Sequence, residues 1–136
     1  MKLLACVAGI VAVVFLSGNC YAAEPDPVAV VIAAEAGGEG YFGMYLVANT
    51  IRNRAIQSGR TPLGVVRQKN QYYGLTAQGR WKCYAAVRAQ ADYLAANVLK
   101  LPDKTGGALY FRQPREKRQK WHKTETVRYG GHVFYK

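Results

Sequence analysis

Seven consecutive apolar residues, Val28-Ala29-Val30-Val31-Ile32-Ala33-Ala34, stand between Pro27 and the pair Gly37-Gly38. A segment that is apolar all round has no face to give to water, so the fold must wrap protein around it. Its β-branched residues suit a buried strand as well as a helix. The alanines, Pro27 at a first helical position and Asp26 before it as cap favour a helix over residues 27–36, stopped by the double glycine.

The rest of the chain supplies the cover. Tyr41 to Ser58 carries apolar residues near helical spacing and ends at Gly59. Arg52, Asn53 and Arg54 form a polar ridge on it. Thr61-Pro62 starts a short helix running through Val66. Gln68 to Gly79 is polar and rich in Gln, Tyr and Gly, which predicts a loop or small hairpin. Trp81 to Leu99 is a third long helix, with Tyr84, Val87, Ala91, Leu94 and Val98 on one side. Ala108 to Phe111 reads as a short strand, and Thr126–Tyr129, Gly130-Gly131 and His132–Tyr135 as a closing hairpin. The expected class is α+β, mainly α, with a small β-hairpin region.

The N-terminus has the pattern of a secretory signal: Lys2, an uncharged apolar run from Leu3 to Leu16, then small and polar residues to Ala23. Cleavage near Ala22 divides the chain into a signal at 1–22 and a mature domain at 23–136. A retained membrane anchor and a lipoprotein cysteine at Cys20 are the competing readings. The chain is expected to be exported, to the periplasm or to the cell wall. Removing the signal takes away Cys6 and Cys20, leaving Cys83 without an intramolecular partner. The domain must then hold by packing alone, and Cys83, in an apolar-periodic segment, is expected to be a buried thiol.

Only Lys2 of the 19 Lys and Arg residues leaves with the signal, and none of the 8 acids, so the net charge falls by one from +11 to +10. A domain this basic is drawn to polyanions: teichoic acids, lipopolysaccharide, the stem-peptide carboxylates of peptidoglycan, or nucleic acid. Charge alone does not choose among them, and no dedicated nucleic-acid partner is expected. Six of the cations fall within residues 112–123.

Among so few acids, Glu35 is the unusual one. It has Ala33, Ala34 and Ala36 beside it and two glycines after it. A carboxyl at the C-terminal end of a dry helix meets the negative end of the helix dipole and loses hydration. Both effects favour the protonated form that a general acid needs near neutral pH. The glycines leave room for a long substrate to approach. A Glu paired with one of the many cations would explain the residue without function. Glu39, four residues on, can serve as a second carboxyl, or orient Glu35 or a backbone amide, or be a bare loop acid. Gln71, Tyr72, Tyr73, Tyr110, Phe111 and Trp121 offer what a saccharide groove needs: aromatic faces for sugar rings and an amide for hydroxyl and N-acetyl groups. Core packing must account for several of the tyrosines.

Other chemistries find little support. His122 and His132 have no Cys or acid near them at metal-ligand spacing, and HExxH and CxxC are absent, so no metal and no cofactor is expected. No phosphate-binding glycine loop or nucleophile elbow appears, and Ser58 is the only serine beyond the signal.

These residues resemble a known family. Ala34-Glu35-Ala36-Gly37-Gly38-Glu39-Gly40-Tyr41-Phe42-Gly43 resembles the opening motif of the spore-cortex-lytic type of cell-wall hydrolase, the SleB-like family. Val47 to Arg54 is similar to its next helix, which ends in an Asn-Arg pair, and Gln71-Tyr72-Tyr73 to its Gln-aromatic loop. Ala108 to Phe111 with Pro114 and Trp121 looks like its aromatic strand and loop. Gly131-His132-Val133-Phe134-Tyr135 looks like its closing Gly-His-aromatic motif, which adds His132 and Phe134 to the substrate-binding candidates. Order and spacing agree from about residue 28 to 136.

The resemblance implies a lysozyme-like domain of the lytic transglycosylase kind. It implies cleavage of the β-1,4 bond between N-acetylmuramic acid and N-acetylglucosamine, with peptidoglycan as partner; a monomer is the expected state, which the sequence itself leaves open. The catalytic acid of that family falls here on Glu35 or Glu39. Glu35 is preferred, because lysozyme-like enzymes place the acid at the end of the first core helix, and Glu39 stays its rival. The loop at residues 112–123 is more basic than the family pattern, which leaves wall remodelling and phage-like lysis as open as spore-specific action. A transglycosylase needs one carboxyl; an inverting hydrolase needs a second, roughly 6.5–9.5 Å away. Glu39 is the only second carboxyl nearby in sequence. The alternative class is a basic module that binds wall polymer or nucleic acid without cutting it.

Overall fold

The structure is a computed structural model that describes residues 23–69, 71–72 and 78–136, the side chains of 78–81 excepted. The predicted signal, residues 1–22, and Tyr73 with most of its loop lie outside the described residues.

Helix α1 spans Pro27–Ala36, with Asp26 accepting a hydrogen bond from the Val28 amide at 2.8 Å, so the predicted cap and proline work as expected. A 3-10 turn over Gly37–Glu39 leads into α2, Gly40–Ser58. Gly59 stops α2 in the left-handed conformation, with φ 66°, which glycine adopts without steric cost. A short α3 follows over Pro62–Val66, then α4 over Gln78–Asn97, kinked at Val87, and a 3-10 turn at Val98–Lys100. The sheet comprises β1 (Tyr110–Arg112), β2 (Glu125–Tyr129) and β3 (His132–Tyr135), antiparallel throughout, with β3 in the centre. The expected α+β, mainly helical class holds.

The apolar run is the axis of the core. Val28 through Ala33 and Ala36 are buried, packed by α2 and α4. Each Val or Ile removed from water contributes about 1.5–3 kcal/mol. Tyr84, Ala91 and Leu94 on α4 and Val98 in the turn after it are buried and Val87 is partly covered, as the spacing predicts. Cys83 does not: it is exposed, a free thiol on the outer side of α4 rather than a core residue. It precedes Tyr84 by one residue, and one step around a helix carries a side chain about 100° off the buried stripe.

A polar seam on α2 sets where the sheet begins. Tyr45, Asn49 and Asn53 recur every four residues and so share one face. The Tyr45 hydroxyl and the Asn49 amide donate to the Pro102 carbonyl, and Asn49 accepts from the Lys104 amide. Asn53 donates to the Thr105 hydroxyl and the Ala108 carbonyl. Asp103 braces the same turn. Burial alone would raise its pKa, but hydrogen bonds from Thr105, Gly107 and Asn53 outweigh that and hold it below the usual carboxylate range. The clamp fixes residues 102–108 to α2 and delivers β1 to the mouth of a cleft.

Candidate active site

The cleft has a volume of about 610 Å³ and lies between the end of α1, the second half of α2, the Gln71-Tyr72 turn, β1 and the basic segment. Glu35, Gln71, Tyr72, Tyr110, Phe111, Trp121 and His132, seven of the predicted site residues, line it. Glu35 is half-buried in the last turn of α1.

Tyr72 forms part of the inner wall. It is 8 % exposed, and among the described residues its hydroxyl finds no hydrogen bond of good geometry. The Arg54 guanidinium lies 5.5 Å from its ring centre. Burial pushes the phenol up to about 12; the Arg54 charge opposes that rise and the Glu35 charge adds to it. Tyr72 therefore stays a hydrogen-bond donor at any physiological pH, held beside the candidate acid. Trp121, 53 % exposed, lines the cleft and meets His122 edge-on, with centroids 5.9 Å apart.

Phe134 departs from its predicted role. It is 1 % exposed and sits in the core, stacked in a tilted contact on Phe111 with centroids 5.8 Å apart. As a residue of the central strand it is covered on both faces, so it supports the cleft wall from behind and does not line it.

Glu39 also departs. It does not line the cleft, and reaches the turn between β2 and β3. One carboxylate oxygen, Oε1, accepts from the Gly131 amide at 2.7 Å and lies 3.4 Å from His132 Nδ1. The carboxylate thus bonds a backbone amide on the far side of the domain. Glycines clear its path. A Cβ on Gly43, one turn further along α2, would meet the Glu39 Cβ at 2.6 Å, and a Cβ on Gly130 would collide with the carboxylate.

Several lining residues were not among the candidates read from the sequence. Thr50 and Arg54, one turn apart on α2, project into the cleft, with Arg54 donating to Gln68 at 2.8 Å. Arg54 was visible only as part of a polar ridge; its position one turn beyond Thr50 was the available signal. His122 is buried and stacked on Tyr135 at 4.8 Å, with its Nδ1 accepting from the Gln119 amide. Burial first, then the Arg112 and Arg118 charges, lower its pKa. Arg112 and Arg118 themselves lie over the Tyr135 ring and donate to carbonyls of the basic segment. Two cations of the basic run thus pack that segment against the sheet. Glu116 is carried with it to the cleft, where its Oε2 accepts from the Gln113 amide at 2.9 Å.

With this geometry in hand, comparison with known proteins is direct. Residues 38–135 match the cell wall hydrolase family. The chain is similar to the catalytic domain of the germination-specific lytic transglycosylase SleB from Bacillus anthracis, at 26 % identity over 87 % of this chain and 98 % of that one, with a TM-score of 0.60. The catalytic domain of the Bacillus cereus SleB protein is similar at the same identity and TM-score, over 81 % of this chain and 89 % of that one. No curated protein sequence matches. A mainly helical domain with a small sheet, closing an aromatic cleft around a carboxyl, defines a lysozyme-like enzyme. The chain belongs to the cell wall hydrolase family, SleB-like in kind, and acts on peptidoglycan.

Proposed function

We propose that this chain is an exported lytic transglycosylase that cuts the β-1,4 bond between N-acetylmuramic acid and N-acetylglucosamine, with Glu35 as its single acid and base. The observation that carries the reading is the setting of Glu35: half-buried at the negative end of α1, on the lining of a cleft of about 610 Å³ walled by Tyr72, Tyr110, Phe111 and Trp121.

In this mechanism the Glu35 carboxyl gives its proton to the glycosidic oxygen, and the bond from that oxygen to the muramic acid C1 breaks. The C6 hydroxyl of the same sugar attacks C1, and its proton returns to Glu35. Water is neither consumed nor released, and the product ends in a 1,6-anhydro ring. Tyr72, a donor held close to Glu35, is suited to a substrate oxygen beside the scissile bond.

One observation favours a hydrolytic second reading: Glu116 lines the same cleft and would be the second carboxylate of an inverting hydrolase. Mass spectrometry of fragments released from purified sacculi decides between them. The transglycosylase product is lighter than the hydrolytic one by one water, and fragments carrying only reducing ends reject the proposal.

Export rests on the signal-like pattern of residues 1–22, and attraction to anionic wall polymers on the net charge of the mature chain. N-terminal sequencing of the secreted protein should begin at Ala23.

A further inference from the structure

Glu39 and His132 pose a problem that the proposed mechanism leaves unused. His132 is 5 % exposed, and among the described residues its buried Nδ1 has no hydrogen-bond partner; the Glu39 Oε2 is in the same condition. The nearest carboxylate oxygen to that Nδ1 is Glu39 Oε1, at 3.4 Å, already anchored by the Gly131 amide. Polar groups so placed either bond to each other or stay desolvated without return. The imidazole packs edge-on to Phe111 at 5.1 Å and 89°, which keeps Nδ1 on the Glu39 side. His132 also lines the cleft that holds Glu35, while Glu39 does not.

We propose that Glu39 is a positioning residue whose carboxylate holds the proton of neutral His132 on Nδ1, presenting a bare Nε2 to the cleft as acceptor for a sugar hydroxyl or amide N–H. The ligand role rests on the reading of the cleft as a glycan site; the proton's location does not. An imidazole with Nδ1 tied to a carboxylate has its tautomer decided by that bond. Gly130 and Gly131 belong to the same device, because a Cβ at either position would intrude on the carboxylate.

The test combines imidazole nitrogen NMR at pH 8, where an ordinary histidine is neutral, with kinetics on purified sacculi. In the unaltered chain His132 should carry its proton on Nδ1. Glu39→Ala should release it to Nε2, whereas Glu39→Gln, which keeps an acceptor oxygen, should retain it. Loss of one substrate hydrogen bond predicts a fall in kcat of about tenfold for His132→Ala and for Glu39→Ala, with no further loss in the double variant. Glu39→Gln should stay within about threefold. A proton on Nε2 in the unaltered chain overturns the proposal, as do single losses that multiply in the double variant. If Glu39→Ala does not fold, the spectrum of the unaltered chain still decides. If that chain releases nothing from sacculi, the proposed function falls while the tautomer result stands.

Discussion

Glu35 and Glu39 lie on one short motif, and the turn between them sends them to different places. Glu35 closes the dry helix and faces the cleft; Glu39 crosses to the β2–β3 turn, 92 residues away in sequence, and accepts a backbone amide there. In an unbroken helix, residues four apart would have been neighbours on one face. The 3-10 turn at Gly37–Glu39, with Gly40 at φ 74°, breaks that relation. The same residue type thus takes two settings: one carboxyl lines the cleft, where the proposed function has it exchange a proton with substrate, and the other bonds the protein backbone.

The predictions that follow set those two roles against each other. The largest effect belongs to Glu35. Glu35→Gln should leave the circular dichroism spectrum unchanged and lower turnover on sacculi by about 10²–10⁴-fold, the usual contribution of a general acid–base group. A binding module without catalysis would be indifferent to it.

Next come two substitutions that move stability. Phe134→Ala empties a fully covered site in the central strand and should cost about 3–5 kcal/mol in denaturant unfolding. Gly130→Ala strains a position at φ 51° and drives a methyl into the Glu39 carboxylate, which should cost about 1–3 kcal/mol. A Gly130→Ala protein as stable as the parent would mean that Glu39 is not seated on this turn.

The smallest effect is on pH dependence. The His122 pKa is lowered in the folded chain relative to its ordinary 6.5, because burial and the Arg112 and Arg118 charges disfavour the imidazolium. Between the folded and unfolded values the unfolded chain binds more protons, so stability rises with pH in that window. This contribution is complete above 6.5 and declines as acid carries the pH down through the folded value. Thermal unfolding from pH 8 to 5 should show the decline, and His122→Phe should flatten it.

What the sequence made legible follows the same divide. Helix α1, its cap and its stop were set by neighbours in the chain: Asp26, Pro27 and the glycines. The closing hairpin was legible for the same reason, and Glu35 stood out because its surroundings are local. The role of Glu39 depends on a turn on the far side of the domain, and no short-range pattern reports such a pairing. Phe134 shares the Gly-His-aromatic motif with His132, but only the sheet order decides that β3 is central and Phe134 covered. Cys83 was placed in the core by a periodicity that fitted Tyr84 one residue later. The basic segment showed in the sequence only as a cluster of cations; Arg112 and Arg118 pack on Tyr135, and His122 and Glu116 reach the cleft with them.

The most direct test compares Glu35→Gln and Glu39→Gln, both shown to be folded, on the same sacculi under the same conditions. The account predicts that Glu35→Gln releases no anhydro-terminated fragments above background while Glu39→Gln keeps turnover within about threefold of the parent. Turnover abolished in Glu39→Gln and preserved in Glu35→Gln would contradict it outright.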